Sequence, residues 1–163
     1  MTAQVAETLL LEGQPNRLCT EPLETYFEMG GSKPKFVWEC TANWRSYVGT
    51  WEIRQDRLYL MAISARLPGN RDATLEDIFP GYPARVFAHW YTGRLRVTKG
   101  KRLGYVHGGY LSVYERDLFI DVQKGVVTGQ EEVVNGQSDE VDPDSPYQVQ
   151  PMISFPVKGG QKK

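Results

Sequence analysis

The residues from 47 to 54, YVGTWEIR, alternate between apolar and polar side chains. In an extended chain Tyr47, Trp51 and Ile53 share one face, while valine, threonine, glutamate and arginine occupy the other. This period of two is typical of an antiparallel strand with one buried face. We therefore predict that Trp51 lies in the core, because a buried tryptophan supplies a large apolar area. Gly49 inside such a strand indicates a bulge, a bend or the close approach of another group.

Short segments of the same kind recur along the chain, with turn residues between them. We predict strands over 8–11, 16–19, 58–63, 85–91, 94–97, 103–107, 110–114, 118–122 and 126–134, in addition to 47–54. A short helix is predicted over about 22–29 and a helical turn over about 74–79. Because no long helical pattern separates two strands, the sequence does not favour a βαβ architecture. It predicts a mainly β fold, an antiparallel meander of eight to ten short strands that forms a barrel or a sandwich.

The composition changes after Asn135. We predict one β-rich domain over 1–134 and a flexible acidic and polar tail over 135–163. The tail is rich in Asp, Glu, Ser, Gln and Pro, and such a composition buries too little apolar surface to order itself. The apolar stretch MISFPV at 152–157 interrupts the tail, and one interpretation is that it docks as an edge strand.

The charge balance and the N-terminus bear on the compartment and on the partners. The chain has 19 basic and 20 acidic residues, with no basic run of the kind that binds nucleic acid. Its start, MTAQVAETLLLEGQ, has neither the basic region of a secretion signal nor the length of a membrane span. We therefore predict a cytoplasmic protein that binds neither nucleic acid nor membrane. In that compartment Cys19 and Cys40 are predicted to be free thiols.

Signatures of known reactions are missing from the sequence. It contains no phosphate-binding loop, no G-x-S-x-G and no H-E-x-x-H, and its cysteines and histidines lack the spacing of metal ligands. We therefore predict no catalytic residue, no metal and no cofactor.

The best candidate binding residues cluster around the glycine pair at 108–109. Tyr105, His107, Tyr110 and Tyr114 surround this break, where a strand ends and where binding residues tend to sit on a rigid sheet. With Glu115 nearby in the sequence, His107 could serve in acid–base chemistry. The alternative is a strand-end histidine that bonds to backbone.

A second candidate pair precedes the alternating strand. Trp44 and Arg45 are of the residue types enriched in interface hot spots. Arg45 could equally stack on Trp44 or anchor an internal carboxylate. His89, between two aromatic residues of a predicted strand, is interpreted as a packed sheet residue, with ligand contact as the alternative.

Several stretches together resemble a family of small uncharacterised bacterial proteins. They are TANWRSYVGTWEIRQDRLYLMAI at 41–63, EPLETYF at 21–27, VFAHWYTGRL at 86–95 and YERDLFIDVQKG at 114–125. The resemblance covers about residues 8–130. It implies a bacterial cytosolic protein, and it carries no activity and no site residues to this chain.

Three functional hypotheses follow from these patterns. The leading one is a non-enzymatic domain that binds another protein through a sheet face, an edge or the acidic tail, and an immunity or toxin-neutralising protein is one member of that class. The alternative is a β-barrel that binds a small apolar or aromatic ligand. The third is an enzyme of unknown class that uses His107.

Overall fold

The computed structural model describes residues 3–104, 109–110 and 112–136. These residues form nine β-strands, one α-helix and one 3₁₀ turn, and the predicted mainly β fold is confirmed. The strands are β1 (Glu7–Leu11), β2 (Gln14–Leu18), β3 (Tyr47–Arg54), β4 (Arg57–Leu67), β5 (Arg71–Asp72), β6 (Val86–Phe87), β7 (Gly93–Gly104), β8 (Val113–Gln123) and β9 (Val126–Val134). Helix α1 spans Pro22–Glu28 and the 3₁₀ turn spans Leu75–Asp77, so both predicted helical segments are present.

The sheet closes on itself into a ring, which is the barrel of the two predicted alternatives. The order is β3–β1–β2–β7–β8–β9–β4, and β4 pairs back with β3. All of these pairs are antiparallel except β1 with β3, which run parallel from Thr8↔Thr50 to Leu11↔Ile53. The meander is therefore interrupted at three places, where β3 pairs with β1, β2 with β7 and β9 with β4.

Apolar side chains fill the interior of the ring. Trp51 has no exposed surface, as predicted, and its ring centroid lies 6.5 Å from that of Trp90. Helix α1 packs against this core through the buried Leu23. Its first turn is held by the Trp90 Nε1, which donates to the Pro22 carbonyl at 3.0 Å. The closed sheet is therefore a packed core and not a hollow container.

Two turns predicted from the sequence lie inside long strands, and these predictions are wrong. Strand β7 continues through residues 98–101, because Gly100 adopts a φ of 82° and the register with β8 shifts there as a bulge. Strand β8 continues through the charged residues 115–117. Asp117 stays in the ladder because its carboxylate accepts from the Arg96 Nε at 3.0 Å, so a charged triplet that resembled a turn is satisfied within the sheet.

The predicted strand over 85–91 is much shorter in the structure. Strand β6 covers only Val86–Phe87, and the chain then turns, with the Tyr91 amide donating to the Ala88 carbonyl at 3.1 Å. His89 is exposed on this turn, so the interpretation of a packed sheet residue is wrong.

Hydrogen bonds connect the end of the described chain to β8. The Asn135 Nδ2 donates to the Tyr114 carbonyl at 2.9 Å and to the Asp117 Oδ2 at 3.1 Å. Tail residues 137–163, including the stretch 152–157, lie outside the described residues, and so do Tyr105 and His107. None of the helices in the described ranges is both long and apolar enough to cross a membrane.

Candidate functional site

A surface groove with a volume of about 560 Å³ runs along the segment that precedes β1. Residues 3–8 form one side, residues of β2 and β7 form another, and Gly109, Tyr110, Ser112 and Tyr114 complete it. None of the lining residues belongs to the hydrophobic core cluster. The groove is therefore built on the outside of the closed sheet.

Backbone hydrogen bonds fix the N-terminal segment in this position. The Gln4 amide donates to the Gly109 carbonyl at 2.8 Å, and the Val5 amide donates to the Ala42 carbonyl at 2.7 Å. The segment thus lies between the loop that leads to β8 and the loop that leads to β3. It brings together two parts of the chain that are far apart in sequence.

Tyrosine and arginine side chains form the wall of the groove. The Arg17 guanidinium lies over the Tyr114 ring, 4.7 Å from the ring centroid, and Arg17 is exposed. Tyr110 donates its hydroxyl to the Glu21 carboxylate and lies 3.3 Å from the Val5 carbonyl oxygen. The wall therefore offers an aromatic ring, a guanidinium group and the body of a second tyrosine.

Behind the groove lies a buried carboxylate, that of Glu7. Its Oε2 accepts from the Gly49 amide at 2.8 Å and from the Arg45 Nε at 3.0 Å, and the Arg45 Nη2 is 2.9 Å away. Its Oε1 accepts from the Trp51 Nε1 at 2.7 Å. Because four donors surround the two oxygens, this geometry favours the ionised carboxylate.

Gly49 makes room for this carboxylate. A Cβ built at Gly49 would lie 2.6 Å from the Glu7 Oε1 and 2.7 Å from the Trp51 Nε1. The sequence left a bulge, a bend or the close approach of another group open for this glycine, and the structure shows close approach. A register shift between β3 and β4 also lies just beyond it, between Thr50 and Trp51.

Arg45 connects the buried carboxylate to the groove. Its Nη2 donates to the Val5 carbonyl at 3.0 Å, and its Nη1 lies 3.5 Å from the Glu21 Oε2. Arg45 is only 8% exposed, and its guanidinium carbon is 5.4 Å from the centroid of the Tyr47 ring. Arg45 therefore anchors an internal carboxylate, one of the interpretations left open above, and presents almost no surface to a partner.

The titration behaviour follows from this burial. Burial raises the pKa of Glu7, while the charge of Arg45 and the hydrogen bonds from Trp51 and Gly49 oppose the rise. Burial lowers the pKa of Arg45, but the charges of Glu7, Tyr110 and Glu21 together with the hydrogen bond to Glu7 outweigh it and leave that pKa raised. Burial and the hydrogen bond to Glu21 raise the pKa of Tyr110.

An exposed apolar rim adjoins the groove. The Trp44 amide donates to the Gln4 Oε1 at 2.8 Å, so Trp44 is held beside a residue that lines the groove. Trp44 is 48% exposed and Val5 is 45% exposed. Trp44 is therefore joined to a lining residue through its backbone amide, while Val5, which itself lines the groove, keeps nearly half of its surface exposed.

The structure brings together the two candidate clusters that the sequence predicted separately. Trp44 lies at the rim, Tyr110 and Tyr114 form the wall and Arg45 lies behind the floor. The positions of Tyr105 and His107 are outside the described residues, so the acid–base hypothesis for His107 stays a prediction.

Two important residues were missed from the sequence. Arg17 lies on the outer face of β2, and an exposed arginine carries no local signal of function. Glu7 could have been found, because the period of two places it on the same face as Leu9 of β1, which is buried. A carboxylate on a buried strand face requires a partner, and that partner was Arg45.

The site offers little for metal or covalent chemistry. Among the residues that the structure describes, no group of three or more His, Cys, Asp or Glu side chains is close enough to hold a metal ion. Cys19 lines the groove, but burial raises the pKa of its thiol and keeps it protonated and weakly nucleophilic.

Comparison of the chain with protein-family models, curated proteins and solved structures finds no match to any of them. The resemblance to small bacterial proteins therefore stays a prediction, and arguments about function depend on the geometry alone.

Proposed function

We propose that this protein is a non-enzymatic domain that binds another protein through the groove and its Trp44 rim. The observation that carries the proposal is the convergence of Trp44, Tyr110 and Tyr114 on one surface. Tryptophan, tyrosine and arginine are the residues that most often dominate the binding energy of an interface. Here two tyrosines, a tryptophan and Arg17 lie around one concave surface beside a packed barrel.

The rigid setting supports a binding function. The segment that forms the groove is fixed by backbone hydrogen bonds on both sides, and the Arg17 guanidinium rests on the Tyr114 ring. A surface that is already ordered loses little entropy when a partner binds, which favours affinity.

The charges around the groove favour an acidic partner surface. The exposed guanidinium of Arg17 lines the groove, whereas the Glu7 carboxylate is buried and neutralised by Arg45. Complementary charge would speed association with an acidic protein.

Proton-transfer chemistry at the buried carboxylate is disfavoured by its enclosure. A general base must come within hydrogen-bond reach of the proton that it removes. The Glu7 side chain has no exposed surface, and both of its oxygens already accept hydrogen bonds from protein donors. The enclosed carboxylate therefore supports a structural role for Glu7 beneath a binding surface.

A crosslinking experiment followed by affinity measurement tests the proposal. A photo-crosslinking amino acid is placed at Trp44, and at Trp38 as the control. Trp38 is also exposed, at 57%, but in the described structure it has no hydrogen bond to a groove-lining residue, whereas Trp44 is bonded to Gln4. We expect a defined protein adduct from position 44 in cells of the source organism. The crosslinked protein is then identified and purified.

The affinity of that purified partner decides the outcome. We expect Trp44→Ala and Tyr114→Ala each to weaken binding by about 2 kcal/mol, a hot-spot loss of roughly 30-fold, while Trp38→Ala changes it little. Equal adducts from both positions, no protein adduct, or unchanged affinity of the Trp44→Ala protein would each contradict the proposal.

Toxin neutralisation is the narrower interpretation within this class. It predicts a toxin gene immediately upstream and a crosslinked partner encoded by that gene. A partner encoded elsewhere would leave protein binding in place and remove the immunity interpretation.

The volume of the groove favours a second candidate function, binding of a small apolar or aromatic ligand. About 560 Å³ lies within the range of roughly 300–1,000 Å³ that is usual for small-molecule sites. A ligand of this kind would raise the melting temperature of the wild-type protein and have less effect on Tyr114→Ala. A screen in which no compound raises the melting temperature would argue against it.

A further inference from the structure

A second exposed surface stands at the other end of β3, away from the groove. The groove side of β3 is marked by Gly49, which contacts Glu7, whereas the far end of the strand is Arg54. There the β3–β4 hairpin turns through Gln55 and Asp56, whose φ angles of 52° and 62° are those of a type I′ turn.

This turn sets two arginines directly opposite each other. Arg54 and Arg57 are register partners in the β3–β4 pair, and both are exposed. Without a carboxylate between them, two facing arginines repel each other. An arrangement of this kind is stabilised when an anion binds between the two cations.

Aromatic rings hold two guanidinium groups at this surface. The Arg85 guanidinium lies over the Tyr59 ring at 4.6 Å, and the Arg57 guanidinium lies over the Phe87 ring at 5.9 Å. Tyr59 and Phe87 are register partners, with their ring centroids 5.8 Å apart. We call Arg54, Arg57, Arg85, Tyr59 and Phe87 together the arginine–aromatic patch.

The arginines of this patch differ from most other arginines of the protein. Arginines elsewhere in the described chain form carboxylate ion pairs within 4.0 Å, among them Arg45, Arg66, Arg71, Arg94, Arg96 and Arg116. Within the ranges that the structure covers, Arg54, Arg57 and Arg85 make no such pair.

We propose that the arginine–aromatic patch binds a carboxylate-rich segment of a protein partner. A guanidinium that lies over an aromatic ring still has N–H groups to donate, and two of them match the two oxygens of a carboxylate. The aromatic support also reduces the entropy that these long side chains lose on binding. The patch is separate from the groove, so this proposal goes beyond the groove-binding function and does not depend on it.

The nearby carboxylates do not cancel the positive charge. Asp56 lies in the turn and Glu52 is the register partner of Tyr59, so two acidic groups face the three arginines of the patch. Lys124 adds a further cation near the patch. The next residue, Gly125, packs so closely against Phe87 that a Cβ added there would lie 2.7 Å from the Phe87 ring.

An acidic protein segment fits this surface better than a nucleic acid does. Proteins that bind single strands use open ring faces on which the bases stack. The two rings of the patch are half-buried, and arginines lie over them. The free groups are the guanidinium edges, which recognise carboxylates without needing stacked bases.

Fluorescence anisotropy with a labelled hexaglutamate peptide tests the proposal on the full chain. We expect the peptide to bind at low salt and to be released as salt is raised, because the contacts are between exposed charges. The double variant Arg57→Gln/Arg85→Gln is expected to raise the dissociation constant about tenfold or more, equal to about 1.4 kcal/mol.

A charge-matched control isolates the patch. Arg66→Gln/Arg71→Gln removes the same total charge from two ion-paired arginines, of which Arg71 is exposed and Arg66 is partly exposed, and it should change peptide affinity less than about twofold. Arg57→Lys/Arg85→Lys keeps the charge and removes the planar fork, so it should weaken binding by an intermediate factor. This variant also provides a readout if the glutamine variant folds poorly.

Three results would each overturn the proposal. An equal loss of peptide affinity in the two double glutamine variants would mean that binding depends only on the net charge of the protein. Absence of peptide binding by the wild-type protein at low salt would remove the site. Tighter binding of oligothymidine than of hexaglutamate, with the same dependence on Arg57 and Arg85, would assign the patch to nucleic acid instead.

Discussion

Replacing Arg45 by methionine should lower the free energy of unfolding by about 3–5 kcal/mol, the usual cost of removing one partner from a buried ion pair. Methionine keeps an apolar stem of similar length and removes the cation. Glu7 would then retain only the Trp51 indole and the Gly49 amide as donors. The loss is a large part of the roughly 5–15 kcal/mol that stabilises a typical domain.

A double variant separates the cost of the charge from the cost of lost hydrogen bonds. Glu7→Gln/Arg45→Met removes both charges, and the glutamine oxygen can still accept from one of the two remaining donors. The other donor loses its acceptor, at a cost of about 1–3 kcal/mol. The double variant should therefore be more stable than Arg45→Met alone, although it carries one more substitution.

Urea denaturation followed by tryptophan fluorescence measures both values, since Trp51 belongs to the network and reports on it directly. The midpoint should shift while the slope stays constant, as expected for a change in stability alone.

The pH dependence supplies an independent readout of the same charge. Without Arg45, the pKa of Glu7 rises further above the ordinary value for a glutamate, because burial is then less opposed. A raised folded-state pKa gives stability that is present at low pH and lost as the pH rises through that pKa. The difference in the free energy of unfolding between Arg45→Met and the wild type should therefore narrow as the pH falls through the raised pKa of Glu7.

Two results would refute the reasoning. One is an Arg45→Met protein within about 1 kcal/mol of wild type, which would mean that the carboxylate is solvated in solution. The other is a double variant less stable than the single variant, which would mean that the geometry of the pair matters more than its charge.

Three further predictions concern other parts of the fold. Gly49→Ala should cost about 1–3 kcal/mol in urea denaturation by crowding the buried carboxylate, whereas Gly129→Ala, whose nearest neighbour would lie at 3.9 Å, should cost clearly less. In the native protein at neutral pH, a thiol reagent should label the exposed Cys40 quickly and Cys19 slowly, because burial raises the pKa of Cys19. Equal labelling rates for the two cysteines would contradict this prediction. Hydrogen bonds from Arg71 lower the pKa of Asp77 below 3.8. The stability that the ionised Asp77 contributes is therefore lost as the pH falls through that lowered pKa. In thermal melts, the melting temperature of Asp77→Asn should fall less on acidification than that of the wild type.

Local pattern was a reliable guide wherever one face of a strand was apolar. The alternation from Tyr47 to Ile53 predicted both β3 and the burial of Trp51, since exposing an apolar strand face is costly. The short helix and the 3₁₀ turn were also predicted, because Pro22 suits a first helical turn and Thr74 suits a cap. In the structure Thr74 forms a capping box with Asp77.

Local pattern failed where charges are satisfied by distant residues. The triplet 115–117 resembled a turn, yet Asp117 pairs with Arg96 across the sheet and the strand continues. A bulge at Gly100 likewise replaced a predicted turn, because pairing with β8 continues on both sides of it.

The sequence by itself determined a mainly β, antiparallel fold, either a barrel or a sandwich, with Trp51 in its core, and it predicted Trp44, Tyr110 and Tyr114 among the candidate binding residues. Only the tertiary structure decided that these three converge on one groove, that Arg45 serves Glu7 behind it, and that three unpaired arginines gather at the opposite end of β3. The physical reason is that strand periodicity is a property of neighbouring residues, whereas the parallel pairing of β1 with β3 and the fastening of residues 3–5 depend on partners far away in the chain. Sequence patterns tell which face of a strand is buried, but contacts across the barrel decide which residues meet there.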